Sequence, residues 1–162
     1  MALMPDPTDI SSSADSPLSK EAMIEELSAH ALPLMWALRQ SAARTFEPLG
    51  FRTVRALLLE LVGRGLAQPK ELSEALQLVP PAVSTMISEL EARGLIVRQS
   101  DPSDGRRVHL ELTEAGERER ARLREAWQRT LHAPLSALGD DELELGLRLV
   151  HKLRASASGG TL

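Results

Sequence analysis

The chain has 162 residues but no cysteine and no tyrosine, and its aromatic side chains are limited to two tryptophans and two phenylalanines. Without cysteine, disulfides, thiolate metal sites, cysteine nucleophiles and thiol redox sensing are excluded. Four aromatic residues do not favour single-strand nucleic-acid binding, because that binding stacks bases on exposed rings. Double-stranded DNA stays open as a ligand, since duplex recognition uses polar and cationic side chains.

The sequence also lacks an apolar run that approaches the roughly 18 residues of a membrane span. Its first 17 residues, MALMPDPTDISSSADSP, have neither the basic start nor the apolar centre of a secretory signal. We therefore expect no membrane partner and a location in the cytoplasm.

An excess of positive charge is missing as well, because the formal net charge is −4. Residues 50–112 hold eight Lys or Arg and eight Asp or Glu, and the rest of the chain holds 11 and 15. The middle of the chain is thus neutral. If it binds DNA, it must do so with a local patch.

Hydrophobic periodicity predicts a mainly α chain with one small β-hairpin. The predicted elements are a helix from Ser16-Pro17 to about Phe46, helices at 52–62, 70–78 and 80–93, strands at 95–100 and 107–112, a helix from Thr113 to about Leu131, and a helix at 141–154. Pro33 is expected to kink the first helix, because it removes an interior hydrogen bond. In the third helix Leu72, Ala75 and Leu76 are expected to face inward.

This order of elements predicts a winged helix-turn-helix with helical dimerisation arms. The expected organisation is a disordered tail at 1–15, a dimerisation helix at 16–48, a DNA-binding lobe at 50–112, C-terminal dimerisation helices at 113–155 and a flexible tail at 156–162. The first helix and the last two carry more apolar surface than the small middle lobe can cover. We therefore expect a twofold homodimer.

Residues 86–117, MISELEARGLIVRQSDPSDGRRVHLELTEAGE, resemble the MarR (multiple antibiotic resistance regulator) family. The matching pieces are LEARGLI at 90–96, the D-x-x-D-x-R pattern of Asp101, Asp104 and Arg106, and the L-T-x-x-G of residues 112–116. The resemblance covers about residues 50–120. It implies a dimeric DNA-binding transcription factor, often a repressor that small phenolic or lipophilic ligands release from DNA.

The resemblance places Arg106 at the tip of the wing, where it would enter the minor groove of A·T-rich DNA. We hypothesise that Asp104 orients the guanidinium of Arg106 and that Arg107 contacts phosphate. A plain solvated hairpin is the alternative. An EF-hand calcium loop would need ligands at Ser100 and Pro102, and proline has no side-chain oxygen.

The second helix of the helix-turn-helix would lie in the major groove with its first residues against base edges. Here that helix has no cation from Val79 to Ala92, and Thr85 stands where the family usually has arginine. Its candidate contacts are made by hydroxyls or by packing on thymine methyl groups. The helix candidates are Pro81, Ala82, Ser84 and Thr85, and the cations expected to assist, together with helix N-termini, are Arg52, Arg55, Lys70 and Arg98.

An effector pocket between the dimerisation helices and the DNA-binding lobe is a further expectation from the resemblance. The candidate residues, an aromatic wall with cationic ends suited to an anionic aromatic ligand, are Trp36, Arg39, Gln40, Phe46, Arg52 and His30. Trp36 and Phe46 could instead belong to the dimer core. The four histidines show no ligand spacing, so no metal site and no cofactor are predicted.

The sequence shows no nucleophile–base pair, carboxylate pair or phosphate loop, so we expect no enzymatic activity. The predicted function is a homodimeric regulator that binds a pseudo-palindromic DNA operator and responds to a small aromatic or lipophilic effector. The alternative is a winged-helix module that binds a protein instead of DNA.

Overall fold

The computed structural model of this protein describes residues 18–100 and 108–159, and the structural statements below concern these residues. The elements are, in chain order, α1 (Lys20–Phe46), a 3₁₀ turn (Glu47–Leu49), α2 (Thr53–Val62), α3 (Pro69–Leu76), α4 (Pro80–Ala92), β1 (Ile96–Ser100), β2 (Val108–Leu112), α5 (Glu114–Leu135) and α6 (Asp140–Gly159). The two strands form one antiparallel hairpin. The predicted mainly α fold with a small hairpin is therefore confirmed.

The boundaries of the long helices differ from the prediction for local reasons. The first helix begins at Lys20 and not at Pro17, because the hydroxyl of Ser19 accepts a hydrogen bond from the N–H of Ala22 (3.2 Å) and so caps it. That helix continues through Pro33 to Phe46. Helices α5 and α6 both extend past their predicted ends, and α6 includes residues 156–159 that were expected to be tail. The predicted disordered tail at 1–15 lies outside the described residues.

The chain divides into two compact units, with the boundary inside α1 between Leu38 and Arg39. In the first unit α1 exposes most of its large apolar side chains, including Leu27 (63% exposed) and Leu34 (59%). The second unit contains the rest of α1, helices α2 to α6 and the hairpin. In the described part of the chain, no helix is both long and apolar enough to cross a membrane.

The core of the second unit is formed by the inner faces of α2, α3, α4 and the hairpin. The fully buried apolar side chains of this core are Phe51, Leu58, Leu59, Leu72, Val83, Ile87, Leu90, Ile96 and Leu110. Burial of each stabilises the fold by roughly 1.5–3 kcal/mol. Val83, Ile87 and Leu90 of α4 and Leu110 of β2 are thus buried, as their spacing in the sequence predicts, but Ala75 of α3 is exposed and its prediction was wrong.

The hairpin is attached to the helices by backbone hydrogen bonds as well as by apolar packing. The strands pair from Ile96 opposite Leu112 to Ser100 opposite Val108. The N–H of Leu110 also donates to the carbonyl of Ala67, in the α2–α3 connection (2.8 Å). This bond fixes the position of β2 relative to α3, so the base of the hairpin is held firmly on the helical lobe.

Candidate nucleic-acid interface

Helix α4 is the second helix of the helix-turn-helix, and a residue in the left-handed backbone conformation sets its direction. Gln77, at the end of α3, has a φ of +51°, and the N–H of Leu78 donates to the carbonyl of Ser73 (3.1 Å). This hydrogen bond closes the end of α3 and reverses the chain into the next helix. Leu72 of α3 and Val83 of α4 are both fully buried in the core. The turn and this packing together fix which face of α4 remains outside.

The outward face of α4 carries the side chains available to a ligand. Pro81, Ser84, Thr85 and Ser88 are exposed along it, whereas Ala82 is only half-exposed. The hydroxyl of Thr85 donates to the carbonyl of Pro81 (3.0 Å), so its proton is already used within the helix. The structure therefore brings the predicted contacts Pro81, Ser84 and Thr85 onto one surface and places Ala82 at its edge.

The N-terminus of α4 has few N–H groups to offer. A helix begins with four N–H groups that lack partners within the helix. In α4 the first two positions are Pro80 and Pro81, which have no N–H. The next two, Ala82 and Val83, both donate to the carbonyl of Val79 (3.0 and 3.3 Å). The expectation that helix N-termini supply contacts therefore fails for α4, because none of its first four residues has an unused donor.

Two of the predicted DNA-binding cations form ion pairs with acidic residues of α4. Arg55 of α2 donates to the carboxylate of Glu89, which raises the pKa of Arg55 and lowers the pKa of Glu89. Arg98 of β1 donates to the carboxylate of Glu91 (2.9 Å) and approaches the hydroxyl of Ser88 (3.5 Å). These contacts attach the helix to α2 and to the hairpin, so Arg55 and Arg98 position the interface.

The other two cations are more open to solvent. Lys70 is in the first turn of α3 with its side chain 86% exposed, and its Nζ lies 3.8 Å from the carboxylate of Glu74. Arg52 is exposed at the N-cap of α2, and its charge helps to lower the pKa of Glu89. Both side chains are long enough to turn outward, so Arg52 and Lys70 remain candidates for phosphate contacts.

The predicted wing residues Asp104, Arg106 and Arg107 lie outside the described residues. The strands that carry the wing are described, and the last pair, Ser100 with Val108, leaves seven residues for the connection. The predicted roles of Asp104, Arg106 and Arg107 therefore stay predictions.

The junction behind the wing explains the L-T-x-x-G pattern. The hydroxyl of Thr113 accepts from the N–H of Gly116 (3.0 Å), which caps α5, and donates to the carbonyl of Gly94 (2.6 Å). Gly116 itself packs so closely that a Cβ there would lie 2.0 Å from the carbonyl oxygen of Leu95. Threonine and glycine thus join the start of α5 to the turn between α4 and β1.

A cavity of about 500 Å³ lies among the end of α1, α2 and α5. Phe46 and Trp127 form an aromatic wall, with ring centroids 5.9 Å apart. Leu57 and Leu123 add apolar surface, and the remaining lining residues are Ala42, Thr53, Ala56, Glu60, Arg64, Arg120, Arg124 and Gln128. The cavity thus combines an apolar interior with arginines along one side.

The predicted effector residues are mostly elsewhere. Phe46 lines the cavity, whereas Arg39, Gln40 and Arg52 are exposed and not among its lining residues. His30 and Trp36 belong to the first unit, where His30 contacts the carboxylate of Glu26 (3.1 Å) and Trp36 is 58% exposed. Spacing along the chain could not identify the arginines of the cavity, because packing of α2 on α5 brings them together.

Glu60 is the centre of the charged side of this cavity. Its carboxylate accepts hydrogen bonds from Arg64 (2.6 Å), Arg120 (2.9 Å) and Arg124 (3.2 Å). Partial burial by itself would raise the pKa of Glu60, but the hydrogen bonds from the three arginines lower it to about 2. Because Arg120 also binds Glu117 (3.1 Å), the cluster of five side chains carries an excess of one positive charge.

The comparisons with known proteins agree with this geometry. The family model described as MarR family matches residues 49–107. The winged helix belongs to the MarR family. The resemblance seen in the sequence is therefore confirmed for this lobe, from the start of α2 to the wing.

Relatives of the MarR-family lobe show how far the likeness extends. The uncharacterized HTH-type transcriptional regulator YkoM of Bacillus subtilis (strain 168) is 35% identical over 80 residues, which are 49% of this chain and 49% of that protein. The match thus spans about half the length of this relative.

Two solved structures share the fold over most of the chain. A MarR family protein from Bacillus stearothermophilus is 23% identical with a TM-score of 0.75, over 87% of this chain and 99% of that chain. CouR from Rhodococcus jostii RHA1, solved with p-coumaroyl-CoA bound, is 21% identical with a TM-score of 0.69, over 91% and 99%. At these identities the likeness establishes the fold, including the helical arms.

Proposed function

We propose that this protein is a homodimeric transcriptional regulator that binds double-stranded DNA and acts as an effector-responsive repressor in the cytoplasm. The observation that carries the proposal is the exposed face of α4 beside a hairpin wing, in a lobe of the MarR family. In the proposed complex α4 of each protomer lies in a major groove and each wing reaches the neighbouring minor groove. A regulator of this kind has a binding surface and needs no catalytic groups.

A second copy of the chain is the proposed partner of the helical arms. Helix α6 exposes large apolar side chains around much of its circumference: Leu143, Leu145, Leu147, Leu149, Val150 and Leu153. In α1 the exposed side chains Leu32, Met35 and Trp36 are between 58% and 68% accessible. So many exposed large apolar side chains are unusual on a monomer, and a twofold interface would cover them.

The dimer proposal predicts the effect of a charge in the centre of this surface. Leu147→Glu should convert a species of twice the 17.7 kDa chain mass into monomer in sedimentation experiments, because the buried carboxylate would have no partner. Arg148→Glu, on the polar face of α6 beside Glu144, is the matched control and should stay dimeric. A wild-type protein that sediments as a monomer at micromolar concentration would contradict the proposal.

The cavity beside Glu60 is the proposed effector site. Its apolar wall and its three arginines suit a ligand with an aromatic or lipophilic body and one anionic group. The similar structure of CouR was solved with an aromatic acyl-CoA bound, which supports a ligand of this kind. A ligand that binds α2 and α5 at once would change their spacing, and with it the position of α4, so DNA affinity would fall.

The wing provides the test of DNA binding by individual residues. Arg106→Ala is expected to weaken binding to a specific duplex about tenfold to a hundredfold, since a charge-assisted hydrogen bond contributes about 1.5–3 kcal/mol. Fluorescence anisotropy with labelled duplex measures the change. Arg118→Ala removes an arginine from the exposed surface of α5 and should leave the affinity unchanged. If the Arg106 variant and the wild type bind the duplex with equal affinity, Arg106 of the wing does not contact DNA.

A winged-helix module that binds another protein is the alternative function. Helix α4 favours it to the extent that its outward face has no cation between Val79 and Ala92. Under this alternative the protein would bind every duplex weakly and equally.

A further inference from the structure

The chemistry that α4 presents to a duplex is unusually restricted. Its first two residues have no N–H, and the N–H groups of Ala82 and Val83 both donate to Val79. The hydroxyl proton of Thr85 is held by the carbonyl of Pro81 (3.0 Å). What remains at this end is an apolar surface of Val79 (66% exposed) and the exposed rings of Pro80 and Pro81, with the hydroxyl of Ser84 beside it.

The acidic residues of α4 do not prevent its approach to DNA. Glu89 is bound by Arg55 and Glu91 by Arg98, so each carboxylate has a cation that compensates its charge. The helix therefore meets a polyanion as a nearly neutral, largely apolar surface. Such a surface gains nothing from phosphate attraction, and its contribution must come from direct contact in the groove.

The major groove offers one apolar feature that distinguishes base pairs, the C5-methyl group of thymine. Guanine presents two acceptors and calls for a donor such as arginine, which α4 lacks from Val79 to Ala92. We propose that the first turn of α4 recognises thymine methyl groups by van der Waals contact with Pro81 and its neighbours Val79 and Pro80. This inference rests on the proposed function and specifies the half-site as thymine-rich where α4 lies.

The test separates this inference from the proposed function. A duplex is first selected from a random library by the wild-type protein, and each thymine of the selected half-site is then replaced by deoxyuridine, which lacks only the methyl group. Affinity should fall about fourfold for each contacted methyl, the effect of burying one such group. Replacing guanine by 7-deazaguanine under α4 should have a smaller effect, because α4 offers guanine only hydroxyl groups and no cation.

A second arm restores the methyl group without restoring thymine. Where cytosine is placed at a contacted position, 5-methylcytosine should bind more tightly than cytosine by a similar factor. Pro81→Ala should reduce the deoxyuridine penalty by at least half, whereas Ser84→Ala, one turn along the same face, should leave it intact. If deoxyuridine lowers the affinity of the wild type and of the Pro81 variant by the same factor, Pro81 does not contact the methyl group.

The possible results distinguish the methyl contact from DNA binding as such. A selected duplex whose affinity is insensitive to deoxyuridine overturns the methyl-contact inference and leaves DNA binding intact. Failure to select any sequence overturns the proposed function itself and favours a protein partner for this face. If deoxyuridine weakens binding and 5-methylcytosine binds more tightly than cytosine, the results support both the methyl contact and the proposed function.

Discussion

Replacing Gly116 with alanine is expected to lower the free energy of unfolding by about 3 kcal/mol, at the upper end of overpacking effects. The added Cβ would lie 2.0 Å from the carbonyl oxygen of Leu95, which is backbone and is fixed by the N–H of Thr113 (3.1 Å). The first turn of α5 must then shift away from the turn between α4 and β1. Thermal melting should show a decrease of roughly 6–12 °C for a domain of this size.

The sign of this effect is informative because alanine is otherwise the better helix former, by roughly 1 kcal/mol over glycine. Gly146 of α6 provides the control, since within the described protomer a Cβ placed there meets no atom beyond its chain neighbours and the backbone of its own helix. Gly146→Ala should leave the melting temperature unchanged or raise it slightly. An unchanged or higher melting temperature for Gly116→Ala would show that α5 does not approach Leu95 this closely.

Replacing Glu60 with glutamine is expected to destabilise the protein by about 2 kcal/mol at neutral pH, less than the full linkage value because the site is partly solvated. Glutamine cannot compensate the charges of Arg64, Arg120 and Arg124, which converge on this carboxylate. Urea denaturation at pH 7 measures the difference in unfolding free energy. Glu114→Gln removes the partner of Arg118 on the exposed surface of α5 and should change stability by less than about 0.5 kcal/mol.

The pH dependence of the Glu60 effect has a definite sign. The pKa of Glu60 is lowered from 4.5 to about 2, so its contribution is present above pH 4.5 and is lost as the pH falls towards 2. The difference between wild type and Glu60→Gln should therefore be largest near pH 7 and should shrink between pH 4.5 and 2. A difference that stays constant over this range would mean that the carboxylate is not held ionised by the arginines.

The helices and the hairpin could be predicted because their signals are local. Val83, Ile87 and Leu90 repeat at helical spacing and are buried, and Leu110 alternates with the exposed His109 and Glu111. Thr113 caps α5 as predicted. Ala75 was misplaced because alanine is accommodated on either face of a short helix, so periodicity alone does not fix its side.

The site could be predicted only in part because its decisive contacts join distant residues. Arg55 pairs with Glu89 and Arg98 with Glu91, so two cations predicted to bind DNA also attach α4 to its neighbours. No local pattern signals these pairs. Glu60 and Arg120 are likewise 60 residues apart and meet only through the packing of α2 on α5. In the sequence the arginines of α5 are indistinguishable from an ordinary charged helix surface.

At the two prolines that begin α4, the sequence predicts the start of the helix and the structure adds a property of that start. Pro80 and Pro81 were expected to start a helix, and they do. The structure adds that Ala82 and Val83 direct their N–H groups to Val79, which leaves the end of the helix without donors. Under the proposed function we therefore expect DNA affinity to depend on the wing, on Arg52 and Lys70, and on apolar contact by α4.

Sequence-specific DNA binding is measured by titrating the wild-type protein with the duplex upstream of its own gene and with a shuffled duplex of equal length, between 50 and 200 mM salt. We expect a preference for the upstream duplex of about a thousandfold, the lower range for specific regulators, with an affinity that falls as salt rises. Equal and weak binding to both duplexes at every salt concentration would contradict it.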